Sequence, residues 1–234
     1  MPDMIRVLLI EDDREIAEII RSYLHEQDQY RVTCAYSAES AMAIGCDHFD
    51  IILLDVMLPD GSGIELCKTL RSAHSCPILF ISCIDDSDII VKALEQGGDD
   101  YIVKPFNYKV LHARIQANLR RINMDQMPNA PTVLKSSLLC LDTDAKKLTV
   151  VGKTYALGGM EVRLLAFFMN HPREYFMSGE LYRKLWGKPS AGDTRTVLVH
   201  IYNLRKKLEK NPSNPKVLRN VVGKGYYFDP DKVE

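Results

Sequence analysis

Residues 51–61 read Ile51-Ile52-Leu53-Leu54-Asp55-Val56-Met57-Leu58-Pro59-Asp60-Gly61. Four apolar residues in a row, with no polar alternation, fit a short strand buried on both faces, as in a parallel sheet, and the run stops at a carboxylate. Outward from it, Val7-Leu8-Leu9-Ile10 and Pro77-Ile78-Leu79-Phe80-Ile81 repeat the pattern, with shorter strand candidates at 30–35 and 101–103. Amphipathic helical stretches lie between them. In residues 14–25, Ile16, Ile19, Ile20 and Tyr23 recur at i, i+3, i+4 and i+7, and 64–70, 89–96 and 108–122 resemble it. Strands alternating with helices predict a doubly wound α/β domain with a five-stranded parallel sheet.

At 234 residues the chain is long enough for two ordinary domains, each with its own core. No apolar run reaches the roughly 18 residues of a membrane span, and Asp3 with the acids at 11–13 excludes a signal-peptide layout. A cytoplasmic protein without a membrane partner is expected. Six cysteines, at 34, 46, 67, 76, 83 and 140, form no C-x-x-C pair and read as small buried hydrophobes in a reducing compartment. The net charge of −1 hides a division: residues 1–122 hold 20 Asp+Glu and 12 Lys+Arg, whereas residues 123–234 hold 11 and 18. Only the second half carries the charge to meet a polyanion.

In doubly wound folds the chemistry sits beyond the carboxyl ends of the strands. Here those ends carry Glu11-Asp12-Asp13, Asp55, Ser82 and Lys104-Pro105. Crowded carboxylates repel one another unless a cation sits among them, and oxygen ligands without His or Cys favour Mg²⁺. Each piece alone has a plainer reading, since acids often end strands; four strand ends fitting one site is a stronger pattern. Glu11-Asp12, the segment 54–61 around Asp55, Ser82, and Asp99-Asp100-Tyr101-Ile102-Val103-Lys104-Pro105-Phe106 together resemble the receiver domain of response regulators, over about residues 4–122. The resemblance implies a flavodoxin-like strand order 2-1-3-4-5 and a phosphoryl group received by Asp55 from a sensor histidine kinase. It implies Mg²⁺ held by Glu11, Asp12, Asp55 and the backbone carbonyl of Met57. Lys104 would pair with the phosphorylated carboxylate through a cis Lys104–Pro105 peptide, with Ser82 and Tyr101 as switch residues.

Residues 124–131 are polar, contain two prolines and lack periodicity, so 123–135 reads as a linker between a domain at 1–122 and another at 136–234. The second begins with strand-like segments at 138–141, 147–151 and 154–157. Helical patterns follow at 160–170, 179–186 and 194–210, and two strands flank Gly223-Lys224. In the third helix Val197, Ile201, Leu204 and Leu208 form the buried stripe, leaving Arg195, Thr196, Val199, Tyr202, Asn203, Lys206 and Lys210 opposite. Trp186-Gly187, Arg195-Thr196-Val197 with Val199-His200-Ile201 and Leu204-Arg205-Lys206-Lys207-Leu208-Glu209, and Gly223-Lys224-Gly225-Tyr226-Tyr227-Phe228 resemble the α+β winged-helix effector domain of OmpR/PhoB-type regulators. That implies a transcription factor for double-stranded DNA. Arg195, Thr196, Tyr202, Lys206, Lys207 and Lys224 would contact the duplex, Val199 and Asn203 would face base edges, and 187–193 is a candidate RNA polymerase contact. Leu198 stands where the family usually has Asp, Asn203 where it often has Arg, and Val222 where a wing Arg is usual.

The resemblance further implies a homodimer on phosphorylation, through the fourth helix, fifth strand and fifth helix. Asp100 would pair with Arg114 and Asp99 with Arg121, and Ile90 and Val110, apolar where the family has charges, would form a small hydrophobic contact. The protein is then no enzyme beyond assisting its own phosphotransfer and autodephosphorylation. Two other classes compete. A haloacid-dehalogenase-type phosphatase would need an acid two residues after Asp55, where Met57 stands, and a cap for which 1–122 has no room. A phosphorylation-independent DNA-binding regulator with a vestigial receiver would not need the full reactive set that is present.

Overall fold

The computed structural model describes residues 4–45, 48–74, 76–124, 133–136, 138–186 and 194–233; the side chains of 73 and 120–124 lie outside that description. The chain forms two compact units, Met1–Arg120 and Arg121–Glu234.

In the first unit, strands β1 (Ile5–Ile10), β2 (Tyr30–Ala35), β3 (Ile51–Leu54), β4 (Ile78–Ser82) and β5 (Asp100–Val103) alternate with helices α1 (Arg14–His25), α2 (Ala38–Ile44), α3 (Gly63–Ala73), α4 (Ser87–Glu95) and α5 (Tyr108–Met124). The sheet is parallel throughout, in the order β2-β1-β3-β4-β5. All of β3 and β4, and Val7–Ile10 of β1, are buried, as their unbroken apolar runs require. Helix α2 has no counterpart among the helical patterns of the sequence. It is short and buries only Ala41, but a capping box between Ser37 and Ser40 starts it, and Asp60 from the loop after β3 accepts hydrogen bonds from the Ala38 and Glu39 amides at 2.8 Å.

The second unit opens with an antiparallel sheet of β6 (Val133–Ser136), β7 (Leu139–Asp142), β8 (Lys147–Val150) and β9 (Lys153–Ala156), in the order β9-β8-β7-β6. The first three residues of strand β6 fall inside the stretch 123–135 read above as linker, and α5 runs on to Met124. Only 125–132 remain between them, outside the described residues. Helices α6 (Gly159–Asn170), α7 (Ser178–Trp186) and α8 (Arg195–Leu208) follow, then the hairpin β11 (Leu218–Val221) and β12 (Gly225–Phe228), which is joined by a two-residue strand β10 (Tyr175–Phe176). The core gathers Leu148, Leu164, Phe168, Trp186, Ile201, Leu204 and Phe228. Gly225 has φ +94°, and a Cβ there would lie 2.3 Å from the Phe176 carbonyl oxygen, so the hairpin can meet β10 only through glycine. Among the described residues no helix is long and apolar enough to cross a membrane.

Candidate functional site

At the carboxyl edge of the parallel sheet, β1, β3, β4 and β5 deliver Glu11, Asp55, Ser82 and Lys104. Glu11, Asp55 and Ser82 are buried, and oxygens of Glu11, Asp12 and Asp55 lie within 4.8 Å of one another. Such an all-oxygen cluster could hold a divalent cation. Lys104 Nζ donates to Glu11 at 2.6 Å and to Asp55 at 2.7 Å. Burial pushes the Glu11 carboxyl up to about 7, only partly offset by Lys104. Burial alone would lower Lys104, but its bonds to Asp55 and Glu11 outweigh that and hold it above its ordinary value. A cation placed among the three carboxylates would favour the charged form of Glu11, which burial opposes. Asp13 stands apart from this group: its carboxylate caps α1 through the Glu15 and Ile16 amides.

The loop after β3 is shaped around Asp55. The Met57 amide donates to Asp55 Oδ1 at 3.1 Å, and Gly63 N–H donates to the Val56 carbonyl at 2.8 Å. A Cβ on Gly63 would lie 1.8 Å from the Asp55 carbonyl oxygen, so no other residue fits beneath the acceptor. The Met57 side chain is 66% exposed. Ser82 Oγ accepts from the Ile84 amide at 3.5 Å, and Tyr101, stacked on Phe80, donates its hydroxyl to the Ile84 carbonyl at 2.8 Å. Tyr101 is therefore already turned inward and fastened to the β4–α4 loop. The Lys104–Pro105 peptide is cis, as the resemblance implies.

The residues expected to make a dimer face are placed differently. Ile90 is 1% exposed, because it shares the buried stripe of α4 with Ala93 and Leu94 at i, i+3 and i+4. It belongs to the unit's own core and is not a surface contact; Val110 is half-buried. Asp100 is paired with Arg114 at 2.8 Å within the chain. Asp99 accepts from Arg71 at 2.6 Å and from the Ile78 amide at 2.9 Å. Arg71, which no sequence pattern singles out, also reaches the carbonyls of Gly97, Cys76 and His74. The Arg121 side chain lies outside the described residues.

On α8 the exposed face also differs from the one read by helical wheel. Thr196, Val199 and Asn203 are buried, while Leu198, Tyr202 and Lys206 reach solvent and Arg195 is half-buried. The helix packs against α6, α7 and β11 together, which widens the buried arc beyond a single stripe. Lys207 points inward to an ion pair with the buried Glu161, whose carboxylate also accepts from the Gly158 amide at the start of α6. Glu209 accepts from the Lys216, Val217 and Leu218 amides and fixes the return into the hairpin. At the hairpin tip Val222 is 98% exposed, and Lys224 is exposed with Nζ 5.3 Å from the centre of the Tyr175 ring. The 187–193 segment lies outside the described residues.

Comparison with known proteins agrees with both halves. Residues 7–116 match the family of the response regulator receiver domain, and residues 152–228 the C-terminal family of transcriptional regulatory proteins. The chain is 34% identical over 226 residues to the transcriptional regulatory protein YvrH of Bacillus subtilis (strain 168), covering 96% of this chain and 95% of that one. It is 35% identical over 225 residues to the DNA-binding response regulator MtrA of Mycolicibacterium smegmatis, covering 96% and 97%. Among solved structures, a mutant of RitR aligns with a TM-score of 0.74 at 28% identity over 96% of this chain and 99% of that one. Response regulator DrrB, a Thermotoga maritima OmpR/PhoB homolog, aligns with a TM-score of 0.51 at 26% identity, covering 97% and 99%. With a receiver at one end and a DNA-binding regulatory domain at the other, the chain belongs to the two-component response regulators of the OmpR/PhoB type.

Proposed function

We propose that Asp55 accepts a phosphoryl group from a sensor histidine kinase and that its phosphorylation controls promoter binding by the C-terminal unit in the cytoplasm. The observation that carries this is the convergence of Glu11, Asp12, Asp55 and Lys104 at one sheet edge, with Lys104 Nζ within 2.7 Å of Asp55. An Asp55 oxygen attacks phosphorus as the bond to the histidine nitrogen breaks, and negative charge spreads over the transferring group. Lys104 lies where it neutralises that charge, and Ser82 can donate its hydroxyl to a phosphoryl oxygen; catalysis is positioning plus electrostatics. Mg²⁺, held by Glu11, Asp12, Asp55 and the Met57 carbonyl, supplies further charge neutralisation when bound. Acting only on its own acyl phosphate, the receiver is not otherwise an enzyme.

Phosphate at Asp55 draws on Ser82, whose neighbour Ile84 is tied to Tyr101, so the charge event is passed to the β4–α4 loop. The active form is a homodimer that sets two copies of α8 on duplex half-sites and recruits RNA polymerase. Base contacts fall to the exposed line of α8, with Lys206 and the hairpin Lys224 on phosphates. A regulator that ignores phosphorylation would not need this reactive set. Incubation with acetyl phosphate and Mg²⁺ should phosphorylate the wild type and leave Asp55→Ala unmodified by intact mass. Wild type that stays unmodified, or DNA affinity that does not change on phosphorylation, overturns the reading.

A further inference from the structure

The solvent-facing line of α8 has a chemical gradient. Leu198 is 48% exposed and Tyr202, one turn on, 42% exposed; Lys206 follows one turn later with its Nζ 4.5 Å from the centre of the Tyr202 ring. The line carries no carboxylate, and the acid that follows the helix, Glu209, is spent on three backbone amides. The unit is cationic, with 18 Lys+Arg against 11 Asp+Glu in residues 123–234, and Lys210, Arg219 and Lys224 are also exposed. A duplex is the polyanion such a helix fits, and this inference rests on that DNA-binding reading.

Within a major groove, leucine cannot take part in donor–acceptor matching. The one apolar group that base edges offer there is the C5-methyl of thymine. We infer that Leu198 is the specificity-determining residue of α8 and selects thymine by packing on its methyl group. Val199 and Asn203 are less able to do so, being only 4% and 9% exposed. Tyr202, held beneath Lys206, supplies an amphipathic surface beside the methyl contact, and Lys206 reaches the phosphates.

The test begins with duplexes enriched from a random pool by the full-length, beryllofluoride-treated protein. Each thymine is then replaced by deoxyuridine, which removes the methyl and nothing else. A replacement in one half-site should weaken wild-type binding about fourfold, the worth of one buried methyl. Leu198→Ala should bind the thymine and deoxyuridine duplexes equally. Leu198→Asp should instead select cytosine at that step, since a carboxylate accepts from its N4 amino group. Thermal midpoints should stay at the wild-type value for both variants because Leu198 is half-exposed, and the deoxyuridine series on wild type does not depend on them. If no replacement weakens the wild type, or Leu198→Ala keeps the same penalty, the inference fails and the DNA-binding reading stands. If no duplex is enriched, both fall.

Discussion

Two residues beyond Asp55 the chain places Met57, and two beyond Ser82 it places Ile84. Met57 is largely exposed beside the acceptor, and the Ile84 backbone is engaged at both its amide and its carbonyl. Hydrolysis of an aspartyl phosphate needs a water held in line with the P–O bond, and neither side chain can hydrogen-bond one. The phosphoryl group should therefore persist, and Met57→Asn should shorten its lifetime about fivefold, the rate equivalent of roughly 1 kcal/mol of net hydrogen-bond energy. Decay of the phosphorylated species in each protein, followed by intact mass, checks this; equal rates would remove the water-positioning argument. The reactive residues are legible in the sequence because each ends an apolar run, so strand and chemistry are read together. Arg71, Asp60 and Glu209 are not, because each acts on backbone groups that only folding brings near.

Helix α8 shows how adjacent residues part company once an element is packed. Lys206 faces out beside Tyr202, whereas Lys207 turns in to Glu161 on α6. Lys206→Ala should leave the denaturation midpoint unchanged and lower the slope of log affinity against log salt by about one, as one phosphate contact is lost. Lys207→Ala should do the reverse. It should cost roughly 1–2 kcal/mol of unfolding free energy in the C-terminal unit, less than a fully buried pair because the lysine keeps some exposure, and leave the salt slope alone. Equal loss of salt dependence in both variants would contradict this division. The helical wheel errs on Thr196, Val199 and Asn203 because it sees one partner surface where the fold supplies three. Helix α2 is illegible for the opposite reason: with only Ala41 buried, it has no stripe to read.

For the molecule as a whole, the proposed dimer must use a face on which Asp99, Asp100 and Arg114 already have partners within the chain. Asp100 and Arg114 pair within the chain, Asp99 is held by Arg71, and Ile90 is in the core, which leaves Val110 as the apolar member at the surface. Charges matched within each protomer add little on association. Sedimentation of the beryllofluoride-treated protein should then show a dimer whose dissociation constant changes by less than about threefold from low to moderate salt. Val110→Glu should weaken it at least about tenfold by placing two like charges at the two-fold axis. A dimer indifferent to Val110→Glu uses another face. The arginine that removes Asp99 from this surface also gives the sheet a mechanical asymmetry. Arg71 rivets the amino ends of β4 and β5, while Ser82 and Lys104 stand at their far ends. The two strands stay paired out to the rim, where the Lys104 amide donates to the Ser82 carbonyl at 2.8 Å, so they can swing only together, as one leaf hinged at the rivet. Over the five residues of β4, roughly 16 Å, a pivot of about 4° carries the rim through about 1 Å. Travel is thus smallest at the rivet and greatest beside the acceptor aspartate, where a small angular change becomes a displacement that a binding surface can register.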